Sequence, residues 1–524
     1  MKILISDQLE QSCIDILTSE GFTVDNRPGL SAADLLKTIE AYDALLVRSA
    51  TKVTAEVIAA GKNLRVIGRA GTGVDNIDAR AATRRGIIVM NTPGGNTVSA
   101  AEHTVSMMLS LARNIPQAHM SLHAGEWERK RFTGTEVTGK TVGVIGLGKI
   151  GREVAARCKG LAMNVIGYDP VLSPDATAKL DIEAVSLDEL YRRSDIISVH
   201  TPLTPETKGL LGDATLAKCK KGVRVINCAR GGIVDEAALL RALESGHVAG
   251  AALDVFEVEP PKGNPLLAHA RVVATPHLGA STEEAQEKVA VQIAHQVADA
   301  LKGRGYFGVV NASVMNQMLN EEVRPYVLLA ERLGSLLYQV SKGKVRRVAV
   351  SASGKVLGGS LELLTAGLLR GILTHTQPEP VNIVNAPFLA QELGLVVDEQ
   401  AVGGGGPNVL RARLESDQES HEVSGTVFEG LPPRLLSLDG FRFDLDPQGH
   451  LLIYSNVDRP GMLASTGAIL AERGINIAGV SLGRLAVGGE ALTIMNVDSP
   501  VPDDLLRRIE VLDGVSRVRV AIIE

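Results

Sequence analysis

The chain has 524 residues, with 54 Lys and Arg against 60 Asp and Glu, for a formal net charge of −6. At about 150 residues per domain this length predicts three or four domains, and the acidic balance excludes a global field that would draw in nucleic acid or an anionic membrane. Met-Lys-Ile-Leu-Ile-Ser-Asp at the N-terminus is too short an apolar run for a signal peptide, and no stretch of about 18 apolar residues predicts a membrane span.

The cysteines Cys13, Cys158, Cys219 and Cys228 are scattered, without metal-ligand spacing or the density of a disulfide framework. A cytoplasmic chain with no metal site is expected.

From Met1 to about Asn96 strand and helix alternate. Strands are predicted at Lys2 to Ser6, Ala44 to Arg48, Arg65 to Gly68 and Gly86 to Met90, with helices ending near Gly21 and running from Ala55 to Gly61. Such alternation predicts a parallel sheet with helices on both faces. Two turns stand just past strand ends, where open α/β sheets bind ligands: Val47-Arg48-Ser49-Ala50-Thr51, and the glycine-rich Arg69-Ala70-Gly71-Thr72-Gly73-Val74-Asp75-Asn76. Residues Val98 to Arg113 form an apolar helix crossing into a second domain. Behind it comes His123 to Phe132, in which the only tryptophan, Trp127, stands beside Arg129, Lys130 and Arg131. A charge run is usually a solvated face, but an aromatic among cations also suits an interface or a phosphate site.

The strand Val142 to Ile145 is followed by Gly146, Gly148 and Gly151 at the G-x-G-x-x-G spacing, then by a helical stretch, Arg152 to Leu161, and a second apolar strand, Asn164 to Tyr168. This is the pattern of a dinucleotide-binding turn: Gly146 for the tight turn, Gly148 for close approach of a pyrophosphate, and Gly151 for packing of the helix on the strand. Asp169 closes the second strand, where a carboxylate grips ribose hydroxyls and repels a 2′-phosphate, so NAD is expected rather than NADP.

Further strands follow at Ile196 to His200, Val223 to Cys228, His247 to Leu253 and Val272 to Thr275. Arg230, Glu259 and His277 fall in the loops after three of them. A 2-hydroxy acid oxidation needs all three chemistries. A planar guanidinium can pair with the substrate carboxylate, a histidine can take the hydroxyl proton near neutral pH, and a carboxylate can orient and stabilise the resulting imidazolium. Cys228, beside them, reads as a small buried side chain.

Gly-Leu-Gly-Lys-Ile-Gly, Asn-Cys-Ala-Arg-Gly-Gly-Ile-Val-Asp-Glu, Leu-Asp-Val-Phe-Glu-Val-Glu-Pro and Thr-Pro-His-Leu-Gly-Ala occur in that order over roughly the first 305 residues. The combination resembles the D-isomer-specific 2-hydroxyacid dehydrogenases. The resemblance implies an active site between two Rossmann-like domains, with Arg230, Glu259 and His277 catalytic. It also implies Thr72, Lys149, Ile150, Thr201, Cys228, Ala229, Asp254 and Gly279 along the cofactor site, and a helix near Ser281 to Lys302 that returns the chain to the first domain. The turn at Arg69 and the Trp-Glu-Arg-Lys segment are most similar to family members acting on 3-phosphoglycerate. For that substrate Arg48, Ser49, Gly73, Asn76, Arg129 and Arg131 become the binding set, part of it serving a neighbouring copy in a homo-oligomer, dimer or tetramer.

From Val309 to about Pro447 the signals weaken to a helix at Pro325 to Val340, a strand at Val345 to Ser351 and a connector at Ala401 to Pro407. The position resembles the intervening domain of long family members. The last segment is predicted as strands at His450 to Val457, Ile475 to Arg484, Ala491 to Val497 and Val515 to Ile523, with helices at Pro460 to Arg473 and Val501 to Glu510. This βαββαβ order is ferredoxin-like, and with Asp458-Arg459-Pro460-Gly461 and Arg473-Gly474-Ile475-Asn476 it resembles an ACT domain. The resemblance implies L-serine as effector, held by Asn456, Asp458 and Asn476.

The expected architecture is therefore α/β, with two Rossmann-like parallel-sheet domains followed by an α+β domain and the ferredoxin-like domain. The expected boundaries are 1–97 with 281–305, 98–280, 309–447 and 450–524. A glyoxylate or hydroxypyruvate reductase is the alternative within the class, though it leaves the C-terminal module unexplained. An NAD-sensing binding protein is the alternative outside it, and the intact Arg230, Glu259 and His277 argue against that.

Overall fold

The computed structural model describes residues 1–402 and 406–524 and contains four sheets. The first has five parallel strands in the order Thr23–Asn26, Lys2–Ile5, Ala44–Val47, Val66–Arg69, Ile88–Asn91. Ala44–Val47 is buried at every position, as an apolar run without alternation requires when helices cover both faces. One cover is the returning helix Glu283–Lys302, whose Val289, Ile293 and Val297 join Ile3, Ile5 and Leu46 in one core. Gly68 makes that approach possible, because a Cβ there would lie 2.7 Å from Val297 Cγ2.

The second sheet has seven parallel strands in the order Val272–Ala274, Val248–Leu253, Val223–Asn227, Ile196–Val199, Thr141–Ile145, Asn164–Tyr168, Glu183–Ala184. Strand order reverses between Thr141–Ile145 and Ile196–Val199, which is where such sheets place a ligand. The crossover helix Thr97–Arg113 buries Met107, Met108 and Leu111 against this sheet, together with Val154 and Cys158 of the helix Lys149–Gly160.

The third sheet is mixed. Only Val345–Ser353 and the edge strand Val396–Val402 are parallel, and the strands Val409–Ser416, Ser420–Val427, Pro433–Leu438 and Phe441–Leu445 follow in antiparallel order. Helices Arg324–Val340 and Leu361–Leu373 bury their apolar faces in its core. The fourth sheet runs Ile477–Arg484, Glu490–Val497, Gly449–Val457, Val515–Ile523, all antiparallel, with helices Met462–Ala471 and Asp503–Glu510 on one face. That is the ferredoxin-like strand order expected from the sequence.

The structure departs from the sequence reading in its less patterned parts. Thr23–Asn26 is a strand, and Ala32–Thr38, Ala79–Arg84, Ile115–His123, Leu187–Arg193 and Glu236–Glu244 are helices that the reading passed over. Most are short amphipathic pieces, whose periodicity covers too few turns to stand out. Lys149, not Arg152, opens the helix after the glycine turn. Of the connector expected at Ala401 to Pro407, Ala401 and Val402 belong to the edge strand, paired with Ala352 and Ser353, and residues 403–405 lie outside the described residues. Among the described residues no helix is long and apolar enough to cross a membrane, and no group of three or more His, Cys, Asp or Glu could hold a metal.

Candidate active site

The glycine turn sits at the carboxyl end of Thr141–Ile145. Gly146 has φ +91°, and a Cβ there would lie 2.6 Å from the His200 carbonyl oxygen. A Cβ on Gly151 would lie 2.0 Å from the Gly146 carbonyl oxygen, so glycine is required for the helix to start where it does. Gly148 is different: its missing Cβ would meet no atom within 4 Å. The fold does not need glycine there, whereas a pyrophosphate approaching the free N–H groups at the N-terminus of Lys149–Gly160 does. Across the reversal point Thr201 has a buried Oγ1 with no hydrogen-bond partner among the described residues, a polar atom left for a ligand. Asp169 closes the neighbouring strand, its Oδ2 accepting from Leu147 N at 2.9 Å and its Oδ1 from Val171 N at 2.9 Å. This carboxylate is thus fixed against the glycine turn. These residues fit a dinucleotide.

The other wall comes from the first sheet. Lys149 Nζ donates to the Pro93 carbonyl at 3.2 Å, and Thr72 Oγ1 donates to Asn96 Oδ1 at 2.6 Å, so both line the gap between the two sheets. Ile150 packs partly buried in the second sheet's core. Ala229 N donates to Asn227 Oδ1 at 3.0 Å, and burial pushes the neighbouring Cys228 thiol up to about 12.

His277 is held by a buried carboxylate it does not itself touch. Asp254 is fully buried and accepts from Thr275 Oγ1 at 2.6 Å, Leu278 N at 2.7 Å and Gly279 N at 2.8 Å, with His103 Nε2 at 3.1 Å. Burial raises its carboxyl, but these donors outweigh burial and hold it below the usual carboxylate range. They also pin the loop, and His277 adopts φ +57° while its N–H donates to the Asp254 carbonyl at 2.9 Å. The side chain then meets Glu259, Nδ1 to Oε2 at 2.8 Å, while Glu259 Oε1 accepts from Phe256 N at 3.1 Å. Against the upward pull of burial, the His277 hydrogen bond keeps the Glu259 carboxyl low and therefore ionised near neutrality. Nε2 of His277 has no protein partner among the described residues. That is the geometry of a base awaiting a proton.

Opposite stands Arg230, whose Nε donates to Asp75 Oδ2 at 2.9 Å and whose Nη1 donates to the Ala229 carbonyl at 2.7 Å. Gly73 makes room for it, since a Cβ there would sit 2.0 Å from Arg230 Nη2. Behind lies Arg69, which the sequence reading treated only as part of a turn. Burial first, and the cations Arg230 and Arg48 next, push it down to about 10, against the pull of Asp75 and Asp7. Asn76 fixes this corner, accepting from Arg69 Nε at 2.9 Å and donating to the Arg48 carbonyl at 2.8 Å. Arg48 Nη1 donates to Gln286 Oε1 at 3.2 Å, and Ser49 next to it is exposed. Arg69 within electrostatic reach of both Arg230 and Arg48, with Asp75 and Asp7 as the facing carboxylates, makes an anion-seeking corner. The signal for Arg69 was its place at a strand end. His103, the sole histidine of the crossover helix, gave no such sign.

Not every expected residue joins this cleft. Arg129 and Arg131 are exposed, Arg131 reaching only Glu126 at 3.5 Å and the Phe132 ring, and Trp127 is 76 % exposed. In the C-terminal module Asp458 accepts from Arg484 Nη1 at 3.0 Å, Asn476 Nδ2 donates to Asp498 Oδ2 at 2.8 Å, and Asn456 is buried, accepting from Thr493 Oγ1 at 3.2 Å. Each has its own partner, and the three do not bond to one another.

A dinucleotide turn at the reversal point of a seven-stranded parallel sheet, facing an Arg, Glu and His set, defines the D-isomer-specific 2-hydroxyacid dehydrogenases, and the NAD-binding domain model of that class matches residues 105–279. The models for the D-3-phosphoglycerate dehydrogenase intervening domain and the ACT domain match 322–439 and 450–514. D-3-phosphoglycerate dehydrogenase of Methanocaldococcus jannaschii is 42 % identical over 99 % of both chains, and that of Homo sapiens 44 % identical over 96 % of both. The chain belongs to the D-3-phosphoglycerate dehydrogenase family. Solved structures align with its first part. The NAD-dependent formate dehydrogenase of Staphylococcus aureus in complex with NAD (31 % identity, TM-score 0.53) covers 58 % of this chain and 96 % of its own. Apo D-lactate dehydrogenase of Escherichia coli (29 %, 0.53) covers 59 % and 99 %. The protein is an NAD-dependent oxidoreductase acting on a small molecule.

Proposed function

We propose that this enzyme oxidises D-3-phosphoglycerate to 3-phosphohydroxypyruvate, the first step of phosphorylated serine synthesis. Bound NAD supplies the hydride acceptor, held by the turn Gly146 to Gly151, by Asp169 on the ribose, and by Thr72, Thr201, Cys228, Ala229, Asp254 and Gly279 around the remainder. Nη2 of Arg230 takes the substrate carboxylate, and Arg48 and Arg69 take the phosphate, with Ser49, Gly73 and Asn76 shaping the pocket. As C2 is oxidised, His277 Nε2 accepts the hydroxyl proton. Glu259 on Nδ1 sets the tautomer and stabilises the positive ring. The observation that carries this reading is the 2.8 Å Glu259–His277 hydrogen bond, in a cleft whose far side is lined by arginines.

The same reading assigns Arg129 and Arg131, on the exposed Trp127 segment, to the site of a neighbouring copy in a homo-oligomer, and L-serine to Asn456, Asp458 and Asn476 of the ACT domain, in a cytoplasmic enzyme. The test is NADH formation from 3-phosphoglycerate and from D-glycerate, each titrated with L-serine. A strong preference for the phosphorylated substrate is expected, with activity falling as serine rises. Equal use of D-glycerate would remove the phosphate role of Arg48 and Arg69, and indifference to serine would remove the effector.

A further inference from the structure

The seam between the first sheet's domain and the third module forms a half-open cavity of about 820 Å³, away from the dehydrogenase cleft. Its size lies in the range of about 300 to 1,000 Å³ typical of small-molecule sites. One wall is the helix Ala79–Arg84 and the segment 310–314, which joins the first sheet through Val310 N to the Val89 carbonyl at 2.9 Å. The other is built from helices Leu361–Leu373 and Ala386–Glu392 and the edge strand Val396–Val402. The seam is firmly closed beside the cavity, where Asn382 Nδ2 donates to the Gly86 carbonyl at 2.9 Å and Asn385 Nδ2 to the Arg84 carbonyl at 3.2 Å. The space is therefore a half-open cavity beside a fastened interface.

Its chemistry is specific. The lining is mainly apolar, with Leu369, Ile383, Val384 and Phe388. Asn311 and Thr83 on the first-domain side satisfy each other and nearby carbonyls, Asn311 Nδ2 donating to Thr83 Oγ1 and to the Ile87 carbonyl, both at 2.9 Å, and Thr83 Oγ1 donating to the Ala79 carbonyl at 2.7 Å. Thr365 is the exception. It is 3 % exposed, lies in mid-helix and lines the cavity, yet its Oγ1 has no hydrogen-bond partner among the described residues. A mid-helix threonine ordinarily turns its hydroxyl back to a carbonyl one turn earlier, and a buried hydroxyl left unpaired costs about 1–3 kcal/mol. At the mouth stand Glu362 and Glu399, both exposed and neither ion-paired among the described residues, and no Lys, Arg or His lines the space.

We propose that this cavity binds a small amphiphilic amine: an apolar body seated on Leu369, Ile383 and Val384, within reach of the Thr365 hydroxyl, with the ammonium at the mouth between Glu362 and Glu399. Anions are disfavoured, because Glu362 and Glu399 face them unpaired while Arg80, over the Phe388 ring at 5.6 Å, is already paired with Glu392, and an amino acid would leave its own carboxylate without a partner. Since its two walls belong to different modules, the ligand bridges the substrate-binding domain and the third module without touching the reacting centre.

The test uses the full-length protein with 4-phenylbutylamine and its anionic counterpart 4-phenylbutyrate, followed by isothermal titration calorimetry. Saturable binding of the amine is expected, at least tenfold tighter than that of the carboxylate. The double substitution E362Q and E399Q, at exposed positions that leave the core intact, should weaken the amine by roughly three- to tenfold while leaving NAD binding unchanged. V384W, which fills the cavity, should abolish amine binding. Its NAD binding serves as the check on folding, and if that is lost the reading rests on the glutamine pair. Absence of saturable amine binding, equal binding of the carboxylate, or an affinity indifferent to the glutamine pair would each overturn the proposal.

Discussion

Replacing Glu259 by Gln tests the proposed chemistry most directly, since it preserves shape and removes only charge. In the reaction the His277 ring gains a proton beside this carboxylate. Two unit charges 2.8 Å apart attract by about 1.5 kcal/mol in bulk water and about 6 kcal/mol at an effective permittivity of 20. The two side chains are 44 % and 38 % exposed, which places the pair towards the aqueous limit. We take about 2 kcal/mol, or roughly a 30-fold loss of rate. Because the ring is neutral before the step and positive after it, the loss belongs in kcat, with NAD affinity and the KM for 3-phosphoglycerate little changed. Steady-state kinetics of E259Q with 3-phosphoglycerate, alongside NADH titration by fluorescence, read all three quantities. A kcat within twofold of the wild type would refute the assignment of Glu259, and an equal loss in cofactor affinity would mean that the substitution had disturbed the fold instead.

The glycine turn separates function from folding. G148A meets no atom within 4 Å and should leave thermal stability unchanged while weakening NAD at least tenfold, whereas G151A, whose Cβ would lie 2.0 Å from the Gly146 carbonyl, should lower stability by about 1–3 kcal/mol as well. Unaltered cofactor affinity in G148A would remove the turn from the site. Cys13, Cys158, Cys219 and Cys228 have thiols pushed up by burial to about 12, 11, 12 and 12, so iodoacetamide at pH 7.5 should label the native protein slowly at all four and rapidly only after unfolding. A single fast thiol in the native protein would contradict this. His421 is raised above its ordinary value by the Asp439 hydrogen bond, against burial and with help from Glu419. Its contribution is therefore complete below the ordinary histidine range and is lost as pH rises through the raised value. H421N should lower the melting temperature at pH 6 and much less at pH 9; an equal loss at both would show that charge is not involved.

How much could be read from the sequence follows from how each part stores its information. The parallel strands of the first two sheets are continuous apolar runs, and Arg230, Glu259 and His277 stand in loops after such runs, so a linear pattern was sufficient to single them out as candidates. The third module has alternating strands whose pairing depends on partners far away, as Val345 pairs with Ser416, and a single helix and strand could be discerned there. Arg69 and His103 illustrate a second limit. The strand end at Arg69 marked a turn and no more, and His103 carried no local sign; only the fold sets them beside Arg230 and Asp254, more than 150 residues on.

The two C-terminal family matches describe separate modules, but they share one interior. Leu451, Ile453, Leu492, Ile494, Ala521 and Ile523, on the ACT sheet face away from its own helices, belong to the same core as Leu333, Leu337 and Phe443. Arg332, from the helix beneath, binds Asp446 Oδ1 at 3.0 Å, Gln448 Oε1 at 2.7 Å and the Glu524 carbonyl at 3.3 Å, and Gln339 exchanges two hydrogen bonds with Ile522 at 2.8 Å. Cutting the chain near residue 448 would therefore strip both fragments of part of their hydrophobic interior. The recombinable piece runs from about residue 320 to the last strand, and grafting the ACT portion alone onto another enzyme would transplant a surface that expects a lid.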